Sequence, residues 1–393
     1  MKKRICFLVD SIFSIGGVQR VTAVIASALS KEYDVTIVTF DNPESMNTSL
    51  YELKEAHLEY RFFSYPQITK AERYICKAFS WLYLKFQPQS RWTSTIYGYS
   101  SFPPTLRRAL IQELKDGHYD VIVGVHAPLA GRLATIKKNL KGVETIGWIH
   151  NSFEALFGKK YLYLGALRKR HYVHQFQRLS QVVLLCQHDV ETYHAYDPKF
   201  KPTYIYNPLT LKPGRLSAGN TKHFLAIGRF SYQHKGFDLL IEAFHLFAEK
   251  NKEWVLYIVG EGQEEELYRA LINKYQLEER IIIHPFTSNI QEYYSQAQVY
   301  VLSSRWEGFG LVIVEAMAHG LPVVSSDLPT SQEIMGDFGL YFRNGDIQEL
   351  AQRLDDATRI DWTSKSQEAL QIARRFDIDN ITRQWKALLE HTP

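Results

Sequence analysis

The sequence predicts an α/β protein built from two doubly wound parallel-sheet domains in tandem. Its 393 residues exceed one ordinary domain and suit two of about 150–200 residues each. Short apolar runs rich in β-formers alternate with helical stretches, the pattern of a parallel sheet covered on both faces. That pattern halts at "YNPLTLKPGRLSAGN" (206–220), a stretch of Pro, Gly and Asn that reads as a linker, and then begins again.

In chain order, "RICFLV" (4–9) is the first strand, followed by the loop "DSIFSIGG" and the helix "VQRVTAVIASALSK". "YDVTIVTF" (33–40), "YDVIVGV" (119–125), "ETIGWIH" (144–150) and "QVVLLC" (181–186) are further strands. After the linker, "HFLAIG", "WVLYIVG", "RIIIHP", "VYVLSS" and "PVVSSD" form the second set, with helices over 236–250, 263–275 and 310–320. "FDIDNITRQWKALLEH" is a terminal helix with Asp377 or Asp379 at its start. The boundaries read from this are a first domain 1–205, a linker 206–220, a second domain 221–375 and a terminal helix 376–393. Two doubly wound domains present their ligand sites at the C-terminal ends of their strands, toward a central cleft.

Charge is divided unevenly. Residues 1–206 carry 27 Lys+Arg against 17 Asp+Glu, and residues 207–393 carry 19 against 25. A basic first half and an acidic second half imply different partners for each. Cys6, Cys76 and Cys186 are too widely spaced for a disulfide framework or a metal motif. The start "MKKRICFLVD" has too short an apolar run for a signal peptide, and no stretch reaches the ~18 apolar residues of a membrane span. The expectation is a cytosolic chain, at most resting on the inner face of the plasma membrane.

Several motifs carry chemistry. In "GRFSYQHKGFDLLIEAF" (228–244), Gly228 leaves a strand, and Arg229 and Lys235 frame a polar loop before a helix. Two cations beside a helix N-terminus suit a diphosphate; the alternative is two solvated surface charges. "VGEGQEEEL" (259–267) is a strand, a turn through Gly260 and a helix whose first acids serve its dipole. It lacks the third glycine and downstream acid of a dinucleotide site, which disfavours a dehydrogenase.

"SSRWEGFGLVIVEAMAHGLPVVSSD" (303–327) places Glu307 beside Gly308 and Gly310, then sets Glu315 in an apolar helix that should be buried all round. A buried carboxylate needs polar partners. Backbone N–H groups at the glycines suit phosphate, Glu307 suits sugar hydroxyls and Glu315 suits a ribose. A nucleotide sugar satisfies all of these groups.

The stretch E-G-F-G-L-V-I-V-E (307–315) resembles the signature of the retaining GT-B glycosyltransferases of family four. The likeness extends to Gly16 and Gly17, the 228–236 loop, the "GEG" turn and the terminal helix. It implies that Arg229 and Lys235 hold the donor diphosphate and stabilise the leaving group, that Glu307 binds the donor sugar, and that Glu315 binds the ribose. The Gly308, Phe309, Gly310 and Leu311 backbone would cradle phosphate and sugar, and Gly16 and Gly17 would close over the phosphate from across the cleft. The base would lie on loop 284–290, against Phe286 and Ile290. His150, at a strand end, matches a family histidine beside the donor sugar; a packed or capping role is the alternative, and His126 ends a neighbouring strand in the same way. Gln19 and Arg20 stand where many members carry an acid, which leaves the sugar identity open. "DID" (377–379) resembles a metal motif of another transferase fold but reads here as helix capping. The reaction is expected to need no metal and no cofactor besides the nucleotide-sugar co-substrate.

The acceptor belongs to the basic half. Segments 132–142 and 159–170, with Arg132, Lys137, Lys138, Lys141, Lys159, Lys160, Arg168, Lys169 and Arg170 among aromatics, suit an anionic membrane or a lipid pyrophosphate; the alternative is a solvated face. No nucleic-acid module is present. The resulting expectation is transfer of a hexose or N-acetylhexosamine from a UDP-sugar to a lipid-linked glycan, in assembly of capsule, exopolysaccharide or lipopolysaccharide. The competing readings are the same chemistry on a soluble sugar and an inactive partner subunit of a transferase complex. Glu307→Ala is expected to abolish transfer and leave the fold intact.

Overall fold

The computed structural model describes residues 2–86, 90–158, 163–212 and 214–390. The chain forms two compact units, one of residues up to Pro208 together with the terminal helix Ile378–Glu390, the other Leu209–Asp377.

Among the described residues of the first unit, the strands are β1 (Arg4–Val9), β2 (Asp34–Thr39), β3 (Leu58–Phe62), β4 (Val121–Val125), β5 (Glu144–Trp148), β6 (Gln181–Leu184) and β7 (Thr203–Tyr204). They pair in the order β3-β2-β1-β4-β5-β6-β7, and every pair is parallel. The central strands β1 and β4 read as near-continuous apolar runs because both faces are covered; Ile5 to Leu8 are wholly buried. One cover is the helix Ala127–Ile136, on which Leu129, Leu133 and Ile136 are fully buried. Each such side chain contributes roughly 1.5–3 kcal/mol. The terminal helix returns to this unit. Its Trp385 is wholly buried, edge-on to Trp148 at 4.7 Å. Lys386 pairs with Glu32 at 2.6 Å, and the Lys3 ammonium donates to the Leu389 carbonyl.

The second unit has β8 (His223–Ile227), β9 (Val255–Val259), β10 (Ile281–His284), β11 (Val299–Leu302), β12 (Val323–Ser326) and β13 (Leu340–Phe342) among its described residues. These pair in the order β10-β9-β8-β11-β12-β13, again all parallel. Phe224 stacks on Trp254 at 4.5 Å at the centre of an aromatic core with Phe244 and Phe247. The stretch read as a linker is tied down at buried Ser217, which donates its backbone N–H to the His319 carbonyl at 3.1 Å and its hydroxyl to the Ala297 carbonyl, while its neighbours Arg215, Leu216 and Ala218 are exposed. Pro213 lies outside the described residues.

In both sheets the strand order reverses once, between β1 and β4 and between β8 and β11. Ligands of doubly wound sheets bind outside the carboxyl ends of the strands at such a switch point. In the second unit that places the loops after Ile227 and after Leu302 side by side.

Candidate active site

The site of the second unit is built from those two loops. After β8 come Gly228 and a one-turn helix Tyr232–Lys235, closed by Gly236 before the helix Phe237–Ala248. Gly236 sits at φ 63, where side chains other than glycine are strained, and a Cβ there would lie 2.1 Å from the Ser303 carbonyl oxygen. This close approach lets the Ser303 hydroxyl donate to the Lys235 carbonyl at 2.9 Å. A Cβ at Gly260 would lie 1.9 Å from the Gly228 carbonyl oxygen, so the exits of β8 and β9 pack backbone on backbone. The Lys235 stem crosses Gly228, where a Cβ would meet its Cε at 2.9 Å.

The loop after β11 is pinned at several points. The Arg305 guanidinium grips buried Asp238 through two bonds of 2.9 and 2.6 Å, a geometry that fixes position as well as charge. Its backbone N–H donates to the His234 carbonyl at 2.7 Å, and the Asn344 side chain donates to its carbonyl. Glu307 is thereby held beside Lys235. Its Oε1 accepts from Lys235 Nζ at 2.7 Å and from the Ser304 hydroxyl at 2.6 Å, and it stands 3.7 Å from His234 Nε2. The His234 ring lies flat on Trp306, centroids 3.7 Å apart.

Burial pushes the Glu307 carboxyl up, but the Lys235 ammonium outweighs it, and the group lies well below the usual carboxylate range. It is ionised at any working pH. His234 is pushed down, by burial first and by Lys235 second, and stays neutral. An anionic carboxylate thus holds an ammonium at the switch point, with a neutral imidazole against an indole beside it.

Glu315 lies on the helix Leu311–Ala318, 2% exposed. The partner its burial demands includes the Tyr294 hydroxyl, which donates to Oε2 at 2.9 Å. Tyr294 is itself stacked on His319, whose Nδ1 lies 2.7 Å from the Glu315 carbonyl. Gly310, at φ 89, starts that helix, whose first N–H groups have no carbonyl partner within the helix.

The remaining residues singled out from the sequence are placed as follows. Arg229 is exposed and has no hydrogen-bond or ion-pair partner among the described residues. Phe309 is buried and edge-on to Phe376, so its side chain belongs to the core and only its backbone is left for a ligand. Phe286 is exposed, and Ile290 opens the helix Ile290–Gln296. Asp377 directly precedes the terminal helix and Asp379 lies in its first turn.

In the first unit, Gly17 begins the helix Gly17–Leu29. Gly16 precedes it in extended conformation, its N–H bonded to the Tyr51 hydroxyl at 2.9 Å. Beyond the end of β5, His150 is buried with no hydrogen-bond partner for Nε2, its ring 4.3 Å from Trp148 and 6.4 Å from His126. Burial, then the neighbouring His126, holds it well below the ordinary histidine value. His126 sits at φ 76 and caps the helix Ala127–Ile136 through Nδ1.

Parts of the basic segments serve the fold. Arg132 lies over Phe102, Lys137 donates to Ser180, and Lys169 lies over Tyr196 and Phe153. Lys159 and Lys160 lie outside the described residues. The cysteines are all buried, no described helix is long and apolar enough to cross a membrane, and no described group of three His, Cys, Asp or Glu is placed to hold a metal.

Sequence reasoning did not single out His234, Ser304, Tyr294, Arg305 or Asp238. Four of them sit within or beside quoted motifs, and the polar residues flanking Glu307 and Lys235 were the available signal.

Comparison with known proteins identifies the family and the fold. The model of Glycosyltransferase Family 4 matches residues 15–212, and that of Glycosyl transferases group 1 matches 210–375. An uncharacterized glycosyltransferase of Haemophilus influenzae is 26% identical, covering 98% of this chain and 100% of its own length. The amylovoran biosynthesis glycosyltransferase AmsD of Erwinia amylovora is 25% identical over 98% of this chain and 99% of its own. In fold, the chain is similar to Anabaena HepE, solved in complex with UDP and glucose, with a TM-score of 0.74, 20% identity and 99% of both chains covered. The two parallel-sheet units are those of the GT-B fold, and the chain belongs to the group 1 glycosyltransferases of family 4.

Proposed function

We propose that this glycosyltransferase moves a hexose or N-acetylhexosamine from a UDP-sugar to a lipid-linked glycan, with retention at the anomeric carbon. The observation that carries this reading is the β8–β11 switch point, where Lys235 is held by ionised Glu307, and exposed Arg229, with no partner among the described residues, follows the same strand. Two cations on a strand exit match the two charged phosphates of a nucleoside diphosphate. The UDP held by HepE and the place of AmsD in amylovoran biosynthesis support the choice of donor and of pathway class.

In this reading, Arg229 and Lys235 neutralise the charge that grows on the diphosphate as the bond from the anomeric carbon to the phosphate oxygen breaks. The acceptor hydroxyl forms the new bond from the same face, and its proton passes to an oxygen of the released diphosphate. Glu307 has two tasks, to orient Lys235 and to accept hydroxyls of the sugar. Glu315, with Tyr294 already on one oxygen, takes the ribose. The backbone of Gly228, Gly260 and Gly308 to Leu311 borders the phosphates, and Phe286 and Ile290 border the base. In the first unit, Gly16 and Gly17 are assigned to phosphate and His150 to the transferred sugar. The reaction is read as metal-independent.

A thermal-shift screen of UDP, GDP, ADP and CDP, each with and without magnesium, tests the donor and metal assignments. Ligand bound only by the folded chain raises its stability, by about 2.7 kcal/mol at a hundredfold excess over Kd. A selective rise with UDP, equal with and without magnesium, is the predicted result. A rise with another diphosphate moves the donor, and no rise with any of the four contradicts the site.

A further inference from the structure

The first unit carries a surface outside the residues assigned to the transfer reaction. Eight of the 18 exposed large apolar side chains among the described residues fall between positions 74 and 96. They lie on the helices Lys70–Phe86 and Arg91–Ser101, which pack on each other. The first of these helices buries little beyond Cys76 and Tyr83. Tyr83 stacks on Tyr97 at 4.1 Å, and Glu72 accepts the Thr105 N–H and hydroxyl at 2.7 and 2.8 Å. One face is therefore anchored.

The next face is not. Ile75, Phe79, Leu82 and Phe86 recur at helical spacing as a continuous apolar stripe, all of them exposed. Trp81 and Trp92 flank it at 58% and 72% exposure. Between the helices runs a groove of about 220 Å³, lined by Phe79, Leu82, Phe86 and Ile96 over Tyr83 and Tyr97. Soluble monomers rarely leave so many large apolar groups together in water.

The charge around the stripe says what covers it. Lys70, Arg73, Lys77, Lys85 and Arg91 stand in the same stretch with Glu72 as the single acid, and that acid is tied to Thr105. The Lys85 ammonium lies over Trp81 at 4.7 Å and over Phe86 at 5.6 Å, so apolar rings and cation share one surface. Amphipathic rings with long basic side chains beside them suit the headgroup boundary of a bilayer, where rings enter and ammonium groups stay at the anionic surface.

We infer that the helices Lys70–Phe86 and Arg91–Ser101 dock the chain on an anionic membrane, with the groove between them open to an acyl chain. This contact uses residues outside segments 132–142 and 159–170, although the helix Arg91–Ser101 packs on Lys169–Phe176, and it stands or falls independently of the donor assignment.

The test is co-sedimentation of the full chain with vesicles of phosphatidylcholine, with and without phosphatidylglycerol, alongside the Trp81→Ser/Phe86→Ser/Trp92→Ser variant. All three positions are exposed, so the variant keeps the core, and circular dichroism and thermal unfolding check this. Wild type should sediment with the anionic vesicles, and the variant should bind them about tenfold or more weakly. Removing phosphatidylglycerol or raising salt should weaken wild-type binding similarly. Equal binding by the two proteins, or no binding by wild type, overturns the assignment. So does a wild-type dimer in sedimentation analysis that the variant abolishes, since the surface then belongs to a second copy.

Discussion

Glu307 and Lys235 share one buried bond, and this changes what a substitution at either position does. Both side chains are largely withdrawn from water, 8% and 13% exposed. Removing one member of a buried ion pair leaves the other uncompensated and costs about 3–5 kcal/mol, whereas replacing both by apolar groups of similar size can be neutral. Glu307→Ala is therefore expected to lose stability as well as transfer, contrary to the plain sequence expectation of an intact fold. The double variant Lys235→Met/Glu307→Leu should recover most of that stability in urea denaturation and still turn over about a hundredfold or more slower than wild type. A double variant with normal turnover would remove both residues from the chemistry. Glu307 and Lys235 were legible in the sequence because a carboxylate between glycines and a cation at a strand exit are chemically unusual there. His234, Ser304 and Tyr294 were not, because their parts depend on contacts between loops far apart in the chain.

The elements follow their sequence patterns where both faces are buried. The central strands β1 and β4 are near-continuous apolar runs and could be read directly. β3, "LEYRF", lies at a sheet edge, half-buried and carrying charge, and β7 is two residues long; neither has the apolar run that marks a strand. The helix Lys70–Phe86 exposes most of its length, so its apolar residues report a surface rather than a core. The helices Arg91–Ser101 and Lys169–Phe176 meet at His171, whose Nδ1 lies 3.1 Å from the Ser94 hydroxyl. Burial, with His174, Arg178 and Arg168 acting the same way, pushes His171 down to about 3 against the Ser94 bond. The unfolded chain takes up this proton below about pH 6.5 and the folded chain does not, so stability falls as pH drops from 6.5 toward 3. The loss is about 1.4 kcal/mol per pH unit for such a group. His171→Phe should cost stability at neutral pH yet show a shallower acid decline by that amount. Equal declines in the two proteins would show that His171 is protonated in the folded state.

Across the whole molecule, charge and chemistry are divided in opposite senses. The half that is rich in Lys and Arg carries the exposed apolar helices, and the half with an excess of Asp and Glu carries the switch-point site assigned to an anionic donor. Net field in the second half disfavours a diphosphate, so the proposed donor would depend on local cations. Lys235 is already committed to Glu307, whereas Arg229 is exposed and has no partner among the described residues. The two-domain plan was legible because periodic strands restart after residue 220, while the packing of 206–220 was not, since its Pro and Gly content describes a turn-rich path and not where that path lies. Arg229 is exposed, so its change leaves the core untouched. The deciding measurement is calorimetric titration of UDP into wild type and Arg229→Ala. A Kd raised about ten- to hundredfold is the predicted result, and an unchanged Kd would contradict the placement of the donor diphosphate.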